Sequence, residues 1–113
     1  MSHLSILPTV LRDADLLVAS LASLKLLPQR DGSVHGFGEE QAVEVRVTLA
    51  DGQTLGWSRQ SDGSLALVGD LQRLSRSRPL QRLLGRITRA YAAHQAVAEA
   101  ATLLGDAVVF VRV

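Results

Sequence analysis

Tyr91 and His94 are the residues whose types and spacing are best suited to chemistry. They lie three positions apart in a segment with helical apolar periodicity, so a helix would place both rings on one face. Such a pair could relay a proton, and a pocket around it could hold a small molecule. The same spacing suits two rings that fill the core while their polar ends find partners. Because the sequence places no carboxylate to orient the imidazole, the core interpretation is favoured.

Other catalytic and metal-binding patterns are not found. The three histidines, His3, His35 and His94, form none of the usual metal-ligand spacings, and there is no cysteine. Gly36-Phe37-Gly38 lacks the flanking strand and helix of a phosphate-binding loop. The absence of cysteine leaves a cytoplasmic location as the default. We therefore expect no enzyme, no cofactor and no metal site.

The arginine distribution is the feature that departs most from an average chain. Although the formal net charge is only +1, no acidic residue occurs between Asp70 and Glu99. The candidate partner-binding residues are Arg73, Arg76, Arg78, Arg82, Arg86 and Arg89. This segment could contact an acidic protein, contact nucleic-acid phosphates, or simply be a solvated helix face. An aromatic content of 4% leaves little for base stacking, which favours a protein partner over nucleic acid.

The elements that must position these residues fit one domain over residues 1–113, of which 47% are apolar. Loose alternation predicts a first strand over 3–10, and Asp13 is a candidate N-cap for a helix over 13–27. The segment from Pro28 to Gln41 has three glycines and no period, so it is predicted to be a surface loop.

Two Asp-Gly pairs, Asp51-Gly52 and Asp62-Gly63, predict hairpins in the centre of the chain. Two-residue loops would mix apolar and polar positions on one face. Three-residue loops with a left-handed glycine instead pair Val45 with Trp57, and Trp57 with Leu67. The predicted strands are 42–49, 53–60 and 64–69, and their apolar face carries Val43, Val45, Val47, Leu49, Leu55, Trp57 and Leu67. The opposite face is predicted to be polar and free of both helices, which makes it a second candidate binding surface.

A second helix is predicted over 79–104, with Pro79 in its first turn and Gly105 at its end. Its predicted buried stripe consists of Leu80, Leu83, Leu84, Ile87, Tyr91, His94, Ala98 and Ala101. The apolar run 107–113 suggests a last strand inside the sheet or at an interface, so a homodimer stays open. The predicted class is α+β, in the order β-α-β-β-β-α-β, with a three-stranded antiparallel meander, terminal strands in the same sheet, and two helices on one face. No apolar stretch is long enough to span a membrane.

Several short motifs resemble a known family. They are Met1-Ser2-His3-Leu4-Ser5, Asp15-Leu16-Leu17 with Leu21, Leu55-Gly56-Trp57 with Arg59, Asp62-Gly63, Asp70, Ile87, Tyr91-Ala92 and Gly105. The chain resembles the hypothetical chloroplast reading frame thirty-five family, uncharacterised proteins of cyanobacteria and algal plastids. The resemblance implies a protein of photosynthetic lineages and supplies no activity, cofactor or catalytic residue. We therefore expect a non-enzymatic accessory or assembly protein that binds another protein, with nucleic-acid binding as the alternative.

Overall fold

The computed structural model describes residues 4–36 and 38–104. These residues form one five-stranded antiparallel sheet and three helices, which confirms the predicted α+β class. The elements are β1 (Ser5–Leu7), α1 (Ala14–Ser23), β2 (Gln29–Gly36), β3 (Glu39–Thr48), β4 (Thr54–Arg59), β5 (Leu65–Gly69), α2 (Leu71–Arg76) and α3 (Arg78–Leu104). The strand order is β1-β5-β4-β3-β2. Gly105 and the predicted last strand, 107–113, lie outside the described residues.

The predicted registers of the central meander are confirmed. Val45 pairs with Trp57, and Trp57 pairs with Leu67. Both turns have three residues, with Gly52 at φ 86° and Gly63 at φ 88°, and this left-handed geometry suits glycine because it has no Cβ. Trp57 is only 2% exposed and lies in the main core, which is formed between the sheet and the helices.

The prediction of a surface loop from Pro28 to Gln41 is wrong. Gln29–Gly36 form β2, which pairs with β3 and makes the meander four strands long. In β2 only Val34 is a buried apolar residue, so the segment lacks the alternation that would mark a strand. Backbone pairing to β3, rather than side-chain pattern, makes this segment a strand.

The alternation predicted that Val43 and Val45 lie on the same face of the sheet, and this prediction is wrong. Val43 packs in a second cluster with Val34 and Val68, whereas Val45 belongs to the main core around Trp57. Asp31 has a left-handed φ of 57°, and it lies between the register pairs that bring Arg30 to Val45 and Gly32 to Val43. We attribute the change of face to this break in the pleat.

The outer face of the sheet is consequently less open than predicted. A Cβ on Gly56 would lie 2.6 Å from methyl carbons of both Val34 and Val43, so the β2–β3 hairpin folds closely over this point. Ser58, predicted to face solvent, is only 6% exposed. The hairpin therefore covers part of this face.

Helix α1 begins as predicted and ends earlier. The Asp13 carboxylate accepts hydrogen bonds from the N–H groups of Asp15 and Leu16 at 2.9 and 3.1 Å, which makes Asp13 the N-cap. The helix ends at Ser23, before Pro28, because the chain turns back on itself there. Lys25 is left-handed and the Leu26 N–H donates to the Leu21 carbonyl at 3.1 Å, a Schellman-type ending.

Helix α3 is longer than the sheet that it covers. At 1.5 Å per residue its 27 residues span about 40 Å, whereas the six residues of β4 span about 20 Å. The predicted burial of this stripe is therefore confirmed for Ile87 and Tyr91, whereas Ala98, near the far end of the helix, is exposed. No helix among the described residues is long and apolar enough to cross a membrane.

Candidate partner-binding surface

Two consecutive helices position the arginine-rich segment. Asp70 caps α2 by accepting the N–H groups of Gln72 and Arg73 at 3.1 and 3.3 Å. Ser77 then separates α2 from α3, and its hydroxyl accepts the Leu80 N–H at 3.2 Å. Helix α2 was not predicted from the sequence. All six candidate arginines lie on these two helices and are exposed.

The structure brings only three of the six arginines into one depression. Arg78, Arg82 and Arg89 line an open groove of about 470 Å³ together with Gln81 and Gly85. We call these five residues the arginine groove. Arg73 borders a different pocket, and Arg76 and Arg86 line none of the pockets described for residues 4–36 and 38–104.

Gln81 and Gly85 are groove residues that were not predicted from the sequence. Their spacing from Arg78, three and seven positions, places them on the same helical stripe and could have revealed them. A Cβ on Gly85 would lie 3.4 Å from Nη1 of Arg89, so this guanidinium lies over the glycine. The groove floor is therefore backbone, flanked by guanidinium groups.

The arginines of the described residues fall into two groups. Those outside the α2–α3 segment, Arg12, Arg30, Arg46 and Arg59, all donate side-chain hydrogen bonds. Within the described ranges, no side-chain hydrogen bond and no salt bridge involves Arg73, Arg76, Arg78, Arg82, Arg86 or Arg89. The second group therefore has no side-chain partner among the residues that the structure describes, whereas the first is used by the fold.

Two of the engaged arginines, Arg59 and Arg30, pair with acids beside the start of α1. Arg59 donates to both carboxylate oxygens of Glu44, at 3.1 and 3.0 Å, and this hydrogen bonding lowers the pKa of Glu44 below its usual value. Arg30 contacts Asp15 at 2.8 Å, and this hydrogen bond raises the pKa of the Arg30 guanidinium. Because Arg30 and Arg59 each face an acid, these two pairs hold elements together and offer little net charge to a ligand.

Tyr91 and His94 do not form a joint site. The Tyr91 hydroxyl accepts the N–H groups of Arg12 and Asp13 at 3.2 and 2.9 Å, and its side chain is buried. A depression of about 510 Å³ borders Tyr91 between α1 and the far half of α3, but His94 does not line it. Tyr91 thus joins α3 to the chain entering α1. In the part of the chain that the structure describes, no group of three metal-ligating side chains comes together.

Comparison with known proteins identifies a family for this chain. No curated protein and no solved structure matches it. A family model described as "Protein of unknown function (DUF1257)" matches residues 20–108, which include the meander, the arginine groove and Tyr91. Since this match covers most of the 113 residues, the chain belongs to the DUF1257 family of proteins of unknown function.

Proposed function

We propose that this protein is a non-enzymatic accessory or assembly protein that binds an acidic protein surface through the arginine groove. The observation that carries the proposal is the division of the arginines. Four are held by hydrogen bonds within the fold, whereas the three in the groove have no such partner among the described residues. Guanidinium groups present planar pairs of donors that match carboxylates, so an acidic partner is the natural complement.

The spacing of the arginines along α3 is unfavourable for the helix that carries the groove. Arg78, Arg82 and Arg86 follow one another at four-residue spacing, and each like-charge pair at this spacing destabilises a helix by about 0.2–0.5 kcal/mol. Arg78 is also the first residue of α3, where the helix dipole disfavours a cation. A solvated helix face with no binding role would be more stable with mixed charges. The lower helix stability caused by these arginines therefore supports a role for them in binding a partner.

A protein partner is favoured over nucleic acid by the placement of the aromatic rings. Single strands are usually held by exposed aromatic side chains beside a basic path. Trp57 and Tyr91, the two aromatic residues in the part of the chain that the structure describes, are 2% and 4% exposed and engaged in the core. The groove extends over the twelve residues from Arg78 to Arg89, about 16 Å along the helix, which suits a short run of acidic side chains.

The test is a binding titration with defined probes. A fluorescent glutamate-rich helical peptide, a single-stranded RNA and a DNA duplex are each titrated with the full chain at low and high salt. We expect the acidic peptide to bind at low salt and to be released as the Debye length shortens from about 10 Å at 0.1 M to about 3 Å at 1 M. Tighter binding of RNA or DNA than of the peptide would contradict the proposal, as would binding of none.

Two double variants with equal charge change locate the binding surface. Arg82→Glu with Arg89→Glu alters the groove, and Arg76→Glu with Arg86→Glu alters exposed arginines outside it. We expect the groove variant to weaken peptide binding by about tenfold or more, equivalent to about 1.4 kcal/mol, and the matched variant to weaken it much less. Equal losses would mean that general electrostatic attraction, rather than the groove, holds the peptide.

We also infer a cytoplasmic protein of photosynthetic, cyanobacterial-type cells, which is the finer assignment that the resemblance to the chloroplast reading frame family supports. Leu55-Gly56-Trp57, one of the motifs carrying the resemblance, has a strict structural role because Gly56 lies beneath Val34 and Val43. A genome survey tests the lineage. Equal frequency of this motif followed by Asp70 in family members from non-photosynthetic bacteria would contradict it.

A further inference from the structure

The half of α3 that follows Tyr91 extends beyond the packed core. None of the side chains from Ala92 to Leu103 is buried, whereas Leu80, Ile87 and Tyr91 in the first half of the helix are. Helices in proteins owe most of their stability to the packing of an apolar face, and a helical segment without such packing is marginal in water. The far half of α3 is therefore incompletely packed by the described residues.

The depression beside Tyr91 follows one face of this half. Tyr91, Ala98 and Thr102 line it at spacings of seven and four residues, so they form one stripe along the helix, and Leu16 lines it from α1. Leu103, near the end of the helix, also lines it and is 83% exposed. We call this surface the α1–α3 depression. Along α3 it is about 18 Å long, from Tyr91 to Leu103.

The chain supplies an apolar segment next to this depression. Residues 105–113 follow Leu104 and lie outside the described residues, and from Ala107 onwards every residue except Arg112 is apolar. The sheet has no internal place for this run, because β3, β4 and β5 each pair on both sides. An added strand would find little apolar surface at either edge, since β1 has three residues and β2 has Val34 as its one apolar side chain. The α1–α3 depression, by contrast, lies within one helical turn of the start of the segment.

The length of the segment matches the length of the depression. Gly105 can adopt the left-handed conformation that commonly ends a helix and reverses the chain. In extended conformation the seven residues 107–113 reach about 20 Å, close to the length of the lined stripe. We propose that residues 107–113 fold back along α3 and pack in the α1–α3 depression, with the Phe110 ring against Leu16 and Ala98.

The charges agree with this direction. Arg112 is five residues beyond Ala107, about 17 Å in an extended chain, which brings it level with Tyr91. The Asp13 N–H donates to the Tyr91 hydroxyl at 2.9 Å, so the exposed Asp13 carboxylate lies at this end of the depression. The neighbouring Arg12 guanidinium is turned to the Asp62 carbonyl at 2.6 Å. The Asp13 carboxylate can therefore attract the guanidinium of the returning segment.

A single nitroxide label tests this placement, because the chain has no cysteine and Val113→Cys supplies one. The label is attached to the ¹⁵N-labelled full chain, and paramagnetic broadening of the backbone amide signals is followed by NMR. We expect strong broadening at Asp13 and Leu16, and much less at Gly52, in the turn at the end of β4 away from Asp13. Broadening confined to the residues next to Leu104 would overturn the proposal.

A mixture of two samples distinguishes the chain's own segment from that of a second copy. Unlabelled-nitrogen chain that carries the nitroxide is mixed with ¹⁵N-labelled chain that lacks it. We expect no broadening at Leu16 in this mixture. Broadening as strong as in the single-chain sample would mean that the segment docks on another molecule, and the proposal would be wrong.

Two lysine variants with equal charge change test the surface itself. Ala98 and Ala96 are both exposed on α3, and of these two only Ala98 lines the depression. Ala98→Lys should remove the broadening at Leu16 and accelerate hydrogen exchange of the Thr102 amide by about tenfold or more, because the helix end loses its packing. Ala96→Lys should leave both near the parent values, and equal effects of the two variants would refute the assignment. Neither variant alters the arginine groove, so this proposal and acidic-peptide binding fail or succeed independently.

Discussion

The hydroxyl of Tyr91 accepts a hydrogen bond from the backbone N–H of Asp13 at 2.9 Å. This bond joins the middle of α3 to the residue that caps α1, which is 78 positions earlier in the sequence. A second bond, from the Arg12 N–H at 3.2 Å, shares the same oxygen. One phenol oxygen therefore fixes how the chain leaves β1 and enters the first helix.

Replacing this phenol with Tyr91→Phe should destabilise the protein. The ring would still fill the core, but two partly buried N–H groups would lose their acceptor, and each such loss costs about 1–3 kcal/mol when water cannot replace it. Urea unfolding measures the loss, and hydrogen exchange should accelerate at Arg12 and Asp13. Unchanged exchange at both amides would show that the bonds contribute nothing.

Gly56→Ala should destabilise the fold by about 1–3 kcal/mol, because the added methyl group would lie 2.6 Å from carbons of Val34 and Val43 in a packed cluster. Gly85→Ala is the matched control. Its Cβ meets only the end of the flexible Arg89 side chain at 3.4 Å, and alanine at a helix interior is favoured over glycine by about 1 kcal/mol. Denaturant unfolding of both variants should therefore give changes of opposite sign.

Gly52→Ala isolates the backbone requirement of the first turn, since no atom lies within 4 Å of the added Cβ. At φ 86° an L-residue is strained by about 1–2 kcal/mol. Gly52→Asn should be less destabilising, because asparagine tolerates left-handed geometry better than alanine does. If Gly52→Ala and the parent unfold at the same temperature, residue 52 is not left-handed in solution.

The Glu44–Arg59 pair predicts a specific loss of stability in acid. Because the pKa of Glu44 is lower in the folded state, its stabilising contribution is complete above the unfolded pKa of about 4.3 and is lost as pH falls through the lower folded value. Both side chains are about one third exposed, so solvent screening keeps the effect small. Glu44→Gln should lose less stability than the parent between pH 6 and pH 3 in urea unfolding. Parallel pH profiles would contradict this.

Arg82→Glu should stabilise the protein while weakening binding of the acidic peptide. The substitution replaces two repulsive pairs, with Arg78 and with Arg86, by attractive ones, for a gain of about 1 kcal/mol. Arg82→Gln should give an intermediate value. A trade of stability for function is common at binding sites. If Arg82→Glu unfolds at a lower temperature than the parent, Arg82 stabilises the fold and the prediction is wrong.

The meander could be predicted because its signals are local. Asp-Gly turns and strict alternation lie within a few residues of one another, and only one register places Val45, Trp57 and Leu67 together. Strand β2 could not be predicted in this way. It has a single buried apolar residue, Val34, and a left-handed Asp31, so only its pairing with β3 reveals it. The change of face at Val43 has the same non-local origin.

The candidate surface was predictable in composition and not in detail. A run of arginines without acids marks a basic exposed segment, and the structure places all six on exposed helix positions. Which arginines are engaged depends on distant partners: Arg12 donates to the Asp62 carbonyl, 50 residues away, and Arg59 to Glu44, 15 residues away. The pocket bordered by Arg73 likewise joins parts of the chain that no local pattern connects.

The division of the arginines separates the folding of this protein from its net charge. Every arginine side-chain hydrogen bond among the described residues belongs to Arg12, Arg30, Arg46 or Arg59. Neutral substitutions on α2 and α3 would reverse the sign of the small net charge without breaking any of these bonds. Substitutions of the α2 and α3 arginines can therefore change the isoelectric point, the solubility and the choice of partner while the fold stays the same.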